Sequence, residues 1–368
     1  MGRRPFDYTL LVLTIVLVLF GIVMVFSASF YVAENSPSTN YDGYYYFWKQ
    51  VSGAAIGLVA MIAAMFFDYN KFLKLRYIIL GIALVLMLLV FVPGVGIEIN
   101  GSRRWVNLYF LDLQSVEVLK FAIIVFLAGS ISIHQDRMRT FRYGMLPGLV
   151  LLAISAVLLY FQPNFSAVVT LALLVFVMVL VGGANLLQFA VMGVLGIAGG
   201  VVAMVATDYR INRILAFTDP WKYSGDLSYQ LIQSMYSIGS GGLFGLGLGN
   251  SRQKFLYLPY SESDCIFAII VEELGYIGGL AVLVVFGLLI WRGVRIALRA
   301  PNTFGMMLAT GITALIAIQV FINIGVVTGL VPPTGVVLPF ISAGRTSLIM
   351  FMGSIGVLLN VSRQTRAV

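Results

Sequence analysis

A single aspartate stands where a long polar stretch meets an apolar one. Asp264 closes a glycine-rich segment that begins near residue 208, and the apolar run 265–271 follows it directly. A carboxylate at the edge of an apolar segment is costly unless it is paired, hydrated or used, so it is a functional-site candidate by default. Near the surface such a group can take up a proton as a general base. Asp264 is therefore the first candidate catalytic residue.

Other polar side chains recur at helical spacing before a second apolar run. Gln114, Glu117 and Lys120 are three residues apart, which places them within one face of a helix. Glu117 and Lys120 either form a structural ion pair inside the bundle or line a polar cavity in which Lys120 meets an anionic ligand. Just upstream, Arg103 and Arg104 either anchor the protein among lipid headgroups or bind phosphate through forked hydrogen bonds.

Two further features lie around Asp264. The glycines of 237–249 allow close backbone approach, but no Gly-Lys-Ser/Thr ending follows, so this is either a ligand loop or a packed lid and not a nucleotide P-loop. Lys254 follows it and brings a cation close in sequence to Asp264. Glu272 and Glu273 fall deeper in the next helix. We interpret them as buried and hydrogen-bonded within the bundle, with catalysis as the alternative.

Composition indicates that membrane-spanning helices must position these groups. The chain has 368 residues, of which 60% are hydrophobic and 10% charged, and its mean hydropathy is +0.98. The sequence predicts an all-α polytopic membrane protein, a single domain over 1–368, because apolar runs of about 17 to 25 residues match spanning helices. Ten such runs lie near 7–28, 49–67, 74–93, 115–131, 144–161, 165–181, 187–206, 264–291, 304–328 and 335–361.

Charge placement gives the expected orientation. The loops on one side of the predicted membrane helices hold 13 Lys and Arg residues but only three Asp residues. Basic residues in short loops favour the cytoplasmic side. Both termini are therefore predicted to be cytoplasmic, with a large extracellular loop, 207–263, between helices 7 and 8. The net charge of +8 is a topology signal and indicates no nucleic acid. With one cysteine and one histidine, the chain forms no internal disulfide and no multi-histidine zinc site.

Taken together, these motifs are familiar. The chain resembles the shape, elongation, division and sporulation (SEDS) family, the RodA/FtsW/SpoVE-like peptidoglycan polymerases, over nearly its whole length. The segments that carry the resemblance are 101–105, 114–120, 162–164, 209–221, 229–230, 237–254, 257–259, 264–267, 272–275 and 338–342.

The resemblance implies a ten-helix glycosyltransferase that polymerises lipid II at the outer face of the bacterial cytoplasmic membrane. It also implies a partner, a class B penicillin-binding protein with transpeptidase activity. The essential aspartate of the family falls on Asp264. The family motif Gln-Pro-Ser-Glu-x-x-Lys falls on 114–120, where Gln114, Glu117 and Lys120 are kept.

The chain departs from the family pattern around its aspartate. Tyr260 stands where a glutamate usually follows Leu-Pro, Ser263 replaces the usual threonine, and Cys265 replaces a common phenylalanine. Asn164 replaces a frequent aspartate, and residues 343–345 read Ala-Gly-Arg where Tyr-Gly-Gly is common. We interpret Glu262 as a solvated loop glutamate, with replacement of the missing carboxylate as the alternative.

The leading hypothesis is inverting glycosyl transfer, in which Asp264 takes the proton of the attacking sugar hydroxyl and undecaprenyl pyrophosphate leaves. No cofactor is required by the sequence, and a divalent cation, Mg²⁺ or Mn²⁺, is left open. A lipid II flippase and an inactive scaffold for the penicillin-binding protein are the alternatives. The candidate substrate-binding residues are Arg103, Gln114, Glu117, Lys120, Arg210 and Lys254.

Overall fold

Long helices account for most of the architecture. The computed structural model describes residues 6–99, 102–107, 112–205, 217–222 and 226–364. Its helices are α1 Tyr8–Glu34, α2 Tyr45–Phe66, α3 Asn70–Leu89, α4 Ser115–Ile133, α5 Phe141–Gly144, α6 Leu146–Phe161, α7 Phe165–Val181, α8 Leu186–Val205, α9 Asp226–Ser240, α10 Ile266–Leu298, α11 Thr303–Val327 and α12 Arg345–Arg363.

The long helices form because the chain is apolar over whole turns and supplies caps at their starts. The side chains of Asp7, Asn164 and Asn302 accept hydrogen bonds from the first turns of α1, α7 and α11. Within the described residues, seven helices are long and apolar enough to cross a membrane, namely α1 to α4 and α10 to α12, while α6 and α7 are shorter apolar helices. The chain is a multi-pass, mostly helical membrane protein, as predicted, and the number of ten crossings stays a prediction.

Contacts at helix ends show that the start of α1 and the end of α12 lie at the same end of the bundle. Arg292 of α10 pairs with Asp7 at 2.6 Å, and the Asp7 amide donates to Ser362 near the end of α12 at 3.1 Å. At the α2–α3 junction the Tyr69 amide donates to Asn360 at 3.1 Å. This is the arrangement that the distribution of basic residues predicts.

A small sheet at the opposite end is a feature that the all-α prediction does not include. Strands β1 Gly96–Ile99, β2 Ser102–Asn107 and β3 Asp112–Gln114 form an antiparallel sheet in the order β1-β2-β3. Strand β3 runs directly into α4. The sheet therefore fixes the start of one of the most buried helices of the bundle.

Two non-helical segments also approach the bundle interior. After α9, the glycine-rich turn 241–249 packs against α10, where the Leu246 amide donates to the Glu272 carbonyl at 2.9 Å. The segment 331–344 joins α11 to α12 without helical structure, and several of its side chains are buried. The last helix accordingly begins at Arg345 and not near residue 335 as predicted. Irregular backbone at such positions is tolerated where protein surrounds it.

Candidate active site

Asp264 lies in a short loop whose backbone is held at three consecutive positions. The carbonyl of Glu262 accepts from the Ala343 amide at 2.9 Å, and that of Ser263 accepts from the Ser342 hydroxyl at 2.7 Å. The carbonyl of Asp264 itself accepts from an amide side chain of α11 at 2.8 Å. Each bond comes from outside the loop, so α11 and the segment 331–344 set the position of the backbone from which the Asp264 side chain projects.

The amide side chain that reaches Asp264 belongs to Asn323, which is 1% exposed. Its nitrogen also donates to the Val336 carbonyl at 2.7 Å, so one side chain joins the Asp264 loop to the segment 331–344. The Ser342 hydroxyl makes a second link between the same two segments, because it donates to the Ser263 carbonyl and accepts from the Leu338 amide at 2.8 Å. Asn323 and Ser342 are therefore positioning residues for the aspartate.

A glycine faces the Asp264 carboxylate. A Cβ atom added to Gly335 would lie 3.2 Å from Oδ2 of Asp264, which is tighter than ordinary van der Waals contact. The Gly335 amide donates to the Ser166 hydroxyl of α7 at 3.2 Å. The absence of a side chain at residue 335 thus lets the backbone pass directly over the carboxylate.

The surroundings of Asp264 favour its protonated form. The side chain is partly buried, and burial raises the pKa of Asp264 to about 7. The negative charge of Glu262 adds to the rise, while a Ser263 hydrogen bond and the positive charge of Arg104 oppose it. A carboxylate with a pKa near neutrality accepts a proton more readily than an ordinary one.

The two adjacent arginines of β2 have different surroundings. Arg104 donates to the carbonyls of Gln162 and Pro163 at 3.3 and 2.5 Å, and its charge is felt by Asp264. Arg103 instead pairs across the sheet with Glu98 at 3.0 Å, and both side chains are about half exposed. Successive residues of a strand point to opposite faces, so recognition of β2 in the sequence would have separated them.

Glu262 is buried, so its interpretation as a solvated loop glutamate is wrong. It is 8% exposed, and burial raises the pKa of its carboxyl group. Tyr260, at the position where the family usually carries a glutamate, is 51% exposed. The chain therefore has a buried acid close to Asp264, but two residues later than the family pattern. The segment 331–344 packs against this part of the loop, as the bond from the Ala343 amide to the Glu262 carbonyl shows, so the glutamate is covered by protein and not by solvent.

Gln114, Glu117 and Lys120 lie at and after the junction of β3 and α4. The Gln114 amide donates to the Thr346 hydroxyl at 3.2 Å, which ties this junction to α12. Glu117 and Lys120 form an ion pair of 2.6 Å with both side chains at most 7% exposed. Glu117 also borders a small cavity lined by α4, α11 and α12 residues, including Ser354. The structural ion pair is present, and the binding of a ligand there stays a prediction.

Lys254 is a buried partner of Glu273. Its Nζ lies 2.9 Å from Oε1 of Glu273, and the two side chains are 7% and 0% exposed. The Ser27 hydroxyl of α1 donates to both carboxylate oxygens at 2.8 Å. Lys254 therefore neutralises a carboxylate inside the protein, and the structure does not bring it to Asp264 as a direct partner.

Glu272 has an equally complete set of donors. The hydroxyls of Ser237 and Ser251 donate to Oε2 at 2.8 and 2.6 Å, and the Arg252 amide donates to Oε1 at 2.9 Å. Both Glu272 and Glu273 are 0% exposed. The interpretation of these two glutamates as buried, hydrogen-bonded structural groups is confirmed.

The remaining candidate, Arg210, lies outside the described residues. Sequence reasoning missed Asn323 and Gly335, which reach the Asp264 loop from α11 and the segment 331–344. It named Arg103 and Arg104 together but kept only Arg103 as a substrate-binding candidate, whereas the charge that acts on Asp264 is that of Arg104. No local signal in the sequence marks Asn323, because a single asparagine in an apolar helix has many structural uses. Its role follows only from the three-dimensional position of its amide.

Fold and site together define a multi-pass membrane protein with an acidic site built from an irregular loop at one end of its bundle. Over residues 8–367 the chain matches the family model described as "Cell cycle protein" (FtsW, RodA, SpoVE). The chain belongs to this family.

Relatives and solved structures agree over almost the whole chain. Stage V sporulation protein E of Bacillus subtilis is 42% identical over 98% of both chains. A probable peptidoglycan glycosyltransferase FtsW of Trichlorobacter lovleyi is 39% identical over 98% of this chain and 95% of its own. The Thermus thermophilus rod shape determining protein RodA superposes with a TM-score of 0.70 at 26% identity over 98% of both chains.

A second solved structure is described as a peptidoglycan synthase complex that coordinates polymerization and crosslinking. Its matching chain has a TM-score of 0.80 at 26% identity, with 97% of this chain and 98% of that chain covered. The RodA-like fold predicted from the sequence resemblance is thus confirmed.

Proposed function

We propose that this protein is a peptidoglycan glycosyltransferase that polymerises lipid II by an inverting mechanism. The observation that carries the proposal is the Asp264 carboxyl group, which projects from a loop whose backbone is fixed by three external hydrogen bonds and whose surroundings raise its pKa to about 7. The family and the names of the relatives support the same activity.

In this proposal the acceptor sugar hydroxyl attacks the anomeric carbon of a lipid-linked donor. The new carbon–oxygen bond forms as the bond from the anomeric carbon to the pyrophosphate oxygen breaks, and the hydroxyl proton passes to Asp264. A positioned general base contributes about 10² to 10⁴-fold to such a step. The undecaprenyl pyrophosphate leaves as an anion, so the reaction needs no second acid to protonate it.

The departing pyrophosphate requires positive charge. Arg104 is the described cation whose charge reaches Asp264, and we add it to Arg103, Lys120 and Arg210 as a candidate for this role. Lys254 and Lys120 are each paired with a glutamate, so a direct role would require their ion pairs to open. Gln114 and Glu117, at the start of α4, complete the proposed substrate-binding set.

In this proposal a divalent cation, Mg²⁺ or Mn²⁺, arrives bound to the pyrophosphate of the substrate. Within the described ranges no group of three or more His, Cys, Asp or Glu side chains is placed to hold a metal ion. Mg²⁺ is commonly bound by one or two carboxylates together with substrate phosphates. Mg²⁺ or Mn²⁺ carried by the pyrophosphate fits this donor set better than a resident ion does.

The proposed setting is the bacterial cytoplasmic membrane, with the Asp264 site facing outward and a class B penicillin-binding protein as partner. The end of the bundle that carries Asp264 lies opposite the end where α1 begins, α12 ends and Arg292 pairs with Asp7. That arrangement supports an outward site. Co-purification of the two proteins in mild detergent tests the partner.

The decisive experiment is polymerisation of purified lipid II by the detergent-solubilised protein, with and without a class B penicillin-binding protein. Wild type is compared with Asp264→Asn and with Glu34→Gln, which removes an exposed carboxylate at the end of α1. We expect glycan polymer from wild type and Glu34→Gln only. Full activity of Asp264→Asn at normal abundance would exclude the general-base role.

The same assay separates the two alternatives. A flippase would move lipid II across proteoliposome membranes without producing polymer, and an inactive scaffold would bind its partner and do neither. The paired state of Glu117, Lys120, Lys254 and Glu273 supports an enzyme, since a transport path would be expected to expose such charges to its cargo.

A further inference from the structure

Glu262 carries a buried carboxylate with little to balance its charge. It is 8% exposed, and the ion pairs found among the described residues do not include it. Its donors are local and neutral: its own backbone amide and the Ser261 hydroxyl, which lies 3.4 Å from Oε2, long for a hydrogen bond to a charged group. Burial of a poorly compensated carboxylate is strongly disfavoured. Packing alone therefore does not account for this side chain.

The loop holds Glu262 and Asp264 at a fixed separation. Their backbone carbonyls accept from Ala343 and Asn323, and the Ser263 carbonyl between them accepts from Ser342. The Ser261 hydroxyl adds a bond of 3.3 Å to the Ala28 carbonyl of α1. With every residue of the loop tied to a neighbouring element, the two acids cannot move apart by a simple backbone shift.

Few other ionisable groups face the two acids. Tyr46 of α2 is close enough to interact with the charge of Glu262, and Arg104 of β2 with that of Asp264. Cys265, at the start of α10, interacts with both acids, and burial raises the pKa of its thiol to about 12, so it stays neutral. The segment 331–344, which covers the loop, contains no ionisable side chain. Arg104 is thus the only cation found to act on this pair in the described part of the chain.

We propose that Glu262 is the second carboxylate of the site, a positioning residue that controls how Asp264 takes up the acceptor's proton. This inference rests on the polymerase function proposed above. Glu262 makes and breaks no covalent bond in the reaction. The negative charge of Glu262 favours the protonated form of Asp264, which is the form that Asp264 takes after proton transfer. The two acids therefore titrate as a coupled pair. The pair replaces the arrangement in which the family carries its glutamate at the position of Tyr260.

The test is the pH dependence of lipid II polymerisation in Glu262→Gln, an isosteric change that removes the charge. Asp264 must be deprotonated to act, so loss of the neighbouring charge is expected to move the acid limb of the rate profile to lower pH. Glu262→Asp keeps a carboxylate and should retain an acid limb close to that of wild type. Glu34→Gln, the exposed control, should not move the acid limb. An acid limb unchanged in folded Glu262→Gln would overturn the proposal.

Infrared titration of the carboxyl groups provides a second test that needs no Glu262 variant. Coupling is reciprocal, so removal of Asp264 must also change the titration of Glu262. In Asp264→Asn the remaining protonated carboxyl band should disappear at a lower pH than in wild type. The same midpoint in both proteins would overturn the coupled pair.

The two proposals fail in different ways. If Asp264→Asn retains polymerase activity, the proposed role of Asp264 as the base is wrong, whatever Glu262 does. If Asp264→Asn is inactive and Glu262→Gln leaves the acid limb in place, only the inference about Glu262 is wrong.

Discussion

Two acidic regions of the molecule differ in how completely their charges are satisfied. Glu272 and Glu273 are fully buried but receive hydroxyl and amide donors, and Glu273 also pairs with Lys254. Asp264 and Glu262 lie in a loop whose backbone is bonded to distant segments, while their carboxyl groups have only donors within the loop and form none of the ion pairs found among the described residues. Buried charge with a full set of partners holds a structure together, whereas charge left under-satisfied at a fixed position is available for chemistry.

The largest expected effect comes from removing the carboxylate of Asp264. Asp264→Asn should reduce polymerisation by about 10² to 10⁴-fold, the usual contribution of a general base. Wild-type activity should itself fall as the pH drops below about 7, because Asp264 is then protonated. Rate profiles of purified protein check both points.

The same substitution should stabilise the protein at neutral pH. The pKa of Asp264 is higher in the folded state than its ordinary value of 3.8. The folded protein therefore binds more protons between these two pKa values, and its stability falls as the pH rises through that window. Asp264→Asn removes this dependence. Thermal unfolding at acidic and neutral pH should show the gain only at the neutral end.

Removing a charge from the region of Glu272 and Glu273, where the carboxylates have a full set of partners, should mainly reduce the stability of the protein. Glu273→Gln leaves Lys254 buried without its counter-ion, and breaking a buried pair costs about 3–5 kcal/mol. Glu98→Gln is the matched control, because it breaks the exposed pair with Arg103, a change worth about 0–1 kcal/mol. Equal losses in detergent unfolding experiments would contradict the contrast between the two regions.

Glycine substitutions in α10 give a further test of the region around Glu272 and Glu273. Gly275 has φ +74°, and an added Cβ would lie 2.3 Å from the Leu243 carbonyl oxygen in the glycine-rich turn. Gly275→Ala should therefore destabilise the protein by about 1–3 kcal/mol. Gly287 lies in the same helix, α10, with nothing within 4 Å of an added Cβ, so Gly287→Ala should not destabilise it. Unfolding transitions of the two variants, compared side by side, measure the difference.

The smallest expected effect concerns the adjacent arginines. Arg104 lowers the pKa of Asp264, so Arg104→Gln should move the acid limb of polymerisation to higher pH. Arg103→Gln breaks a sheet ion pair with Glu98 and should leave the acid limb in place. A shift of the acid limb in Arg103→Gln but not in Arg104→Gln would mean that Arg103, and not Arg104, faces the site.

The membrane-protein fold and the leading catalytic candidate could be predicted because their signals are local. Apolar runs predict helices wherever they occur, and Asp264 is recognisable from its position beside such a run. The neighbours of Asp264 could not be predicted in the same way. Asn323, Gly335 and Ala343 come to the loop from 59, 71 and 79 residues further along the chain, and only packing of the bundle brings them there.

The burial of Glu262 is hidden from the sequence for a related reason. A glutamate in a polar loop is normally solvated, and the 8% exposure of Glu262 arises from segments distant in sequence that cover the loop, such as the one carrying Ala343. Arg103 and Arg104 show a different difficulty. Their chemistry is identical, so the choice between them depends on recognising a strand that the all-α prediction does not include.

The Thr346 hydroxyl has a mechanical consequence for the site. It donates to the Asp112 carbonyl at 2.9 Å and accepts from the Gln114 amide at 3.2 Å, so the outer sheet is fastened to the first turn of α12. Three residues earlier, Ala343 holds the Glu262 carbonyl. Only three residues of chain therefore separate the contact that holds the sheet from the contact that holds the acidic loop, so the geometry of the loop depends on where the sheet lies.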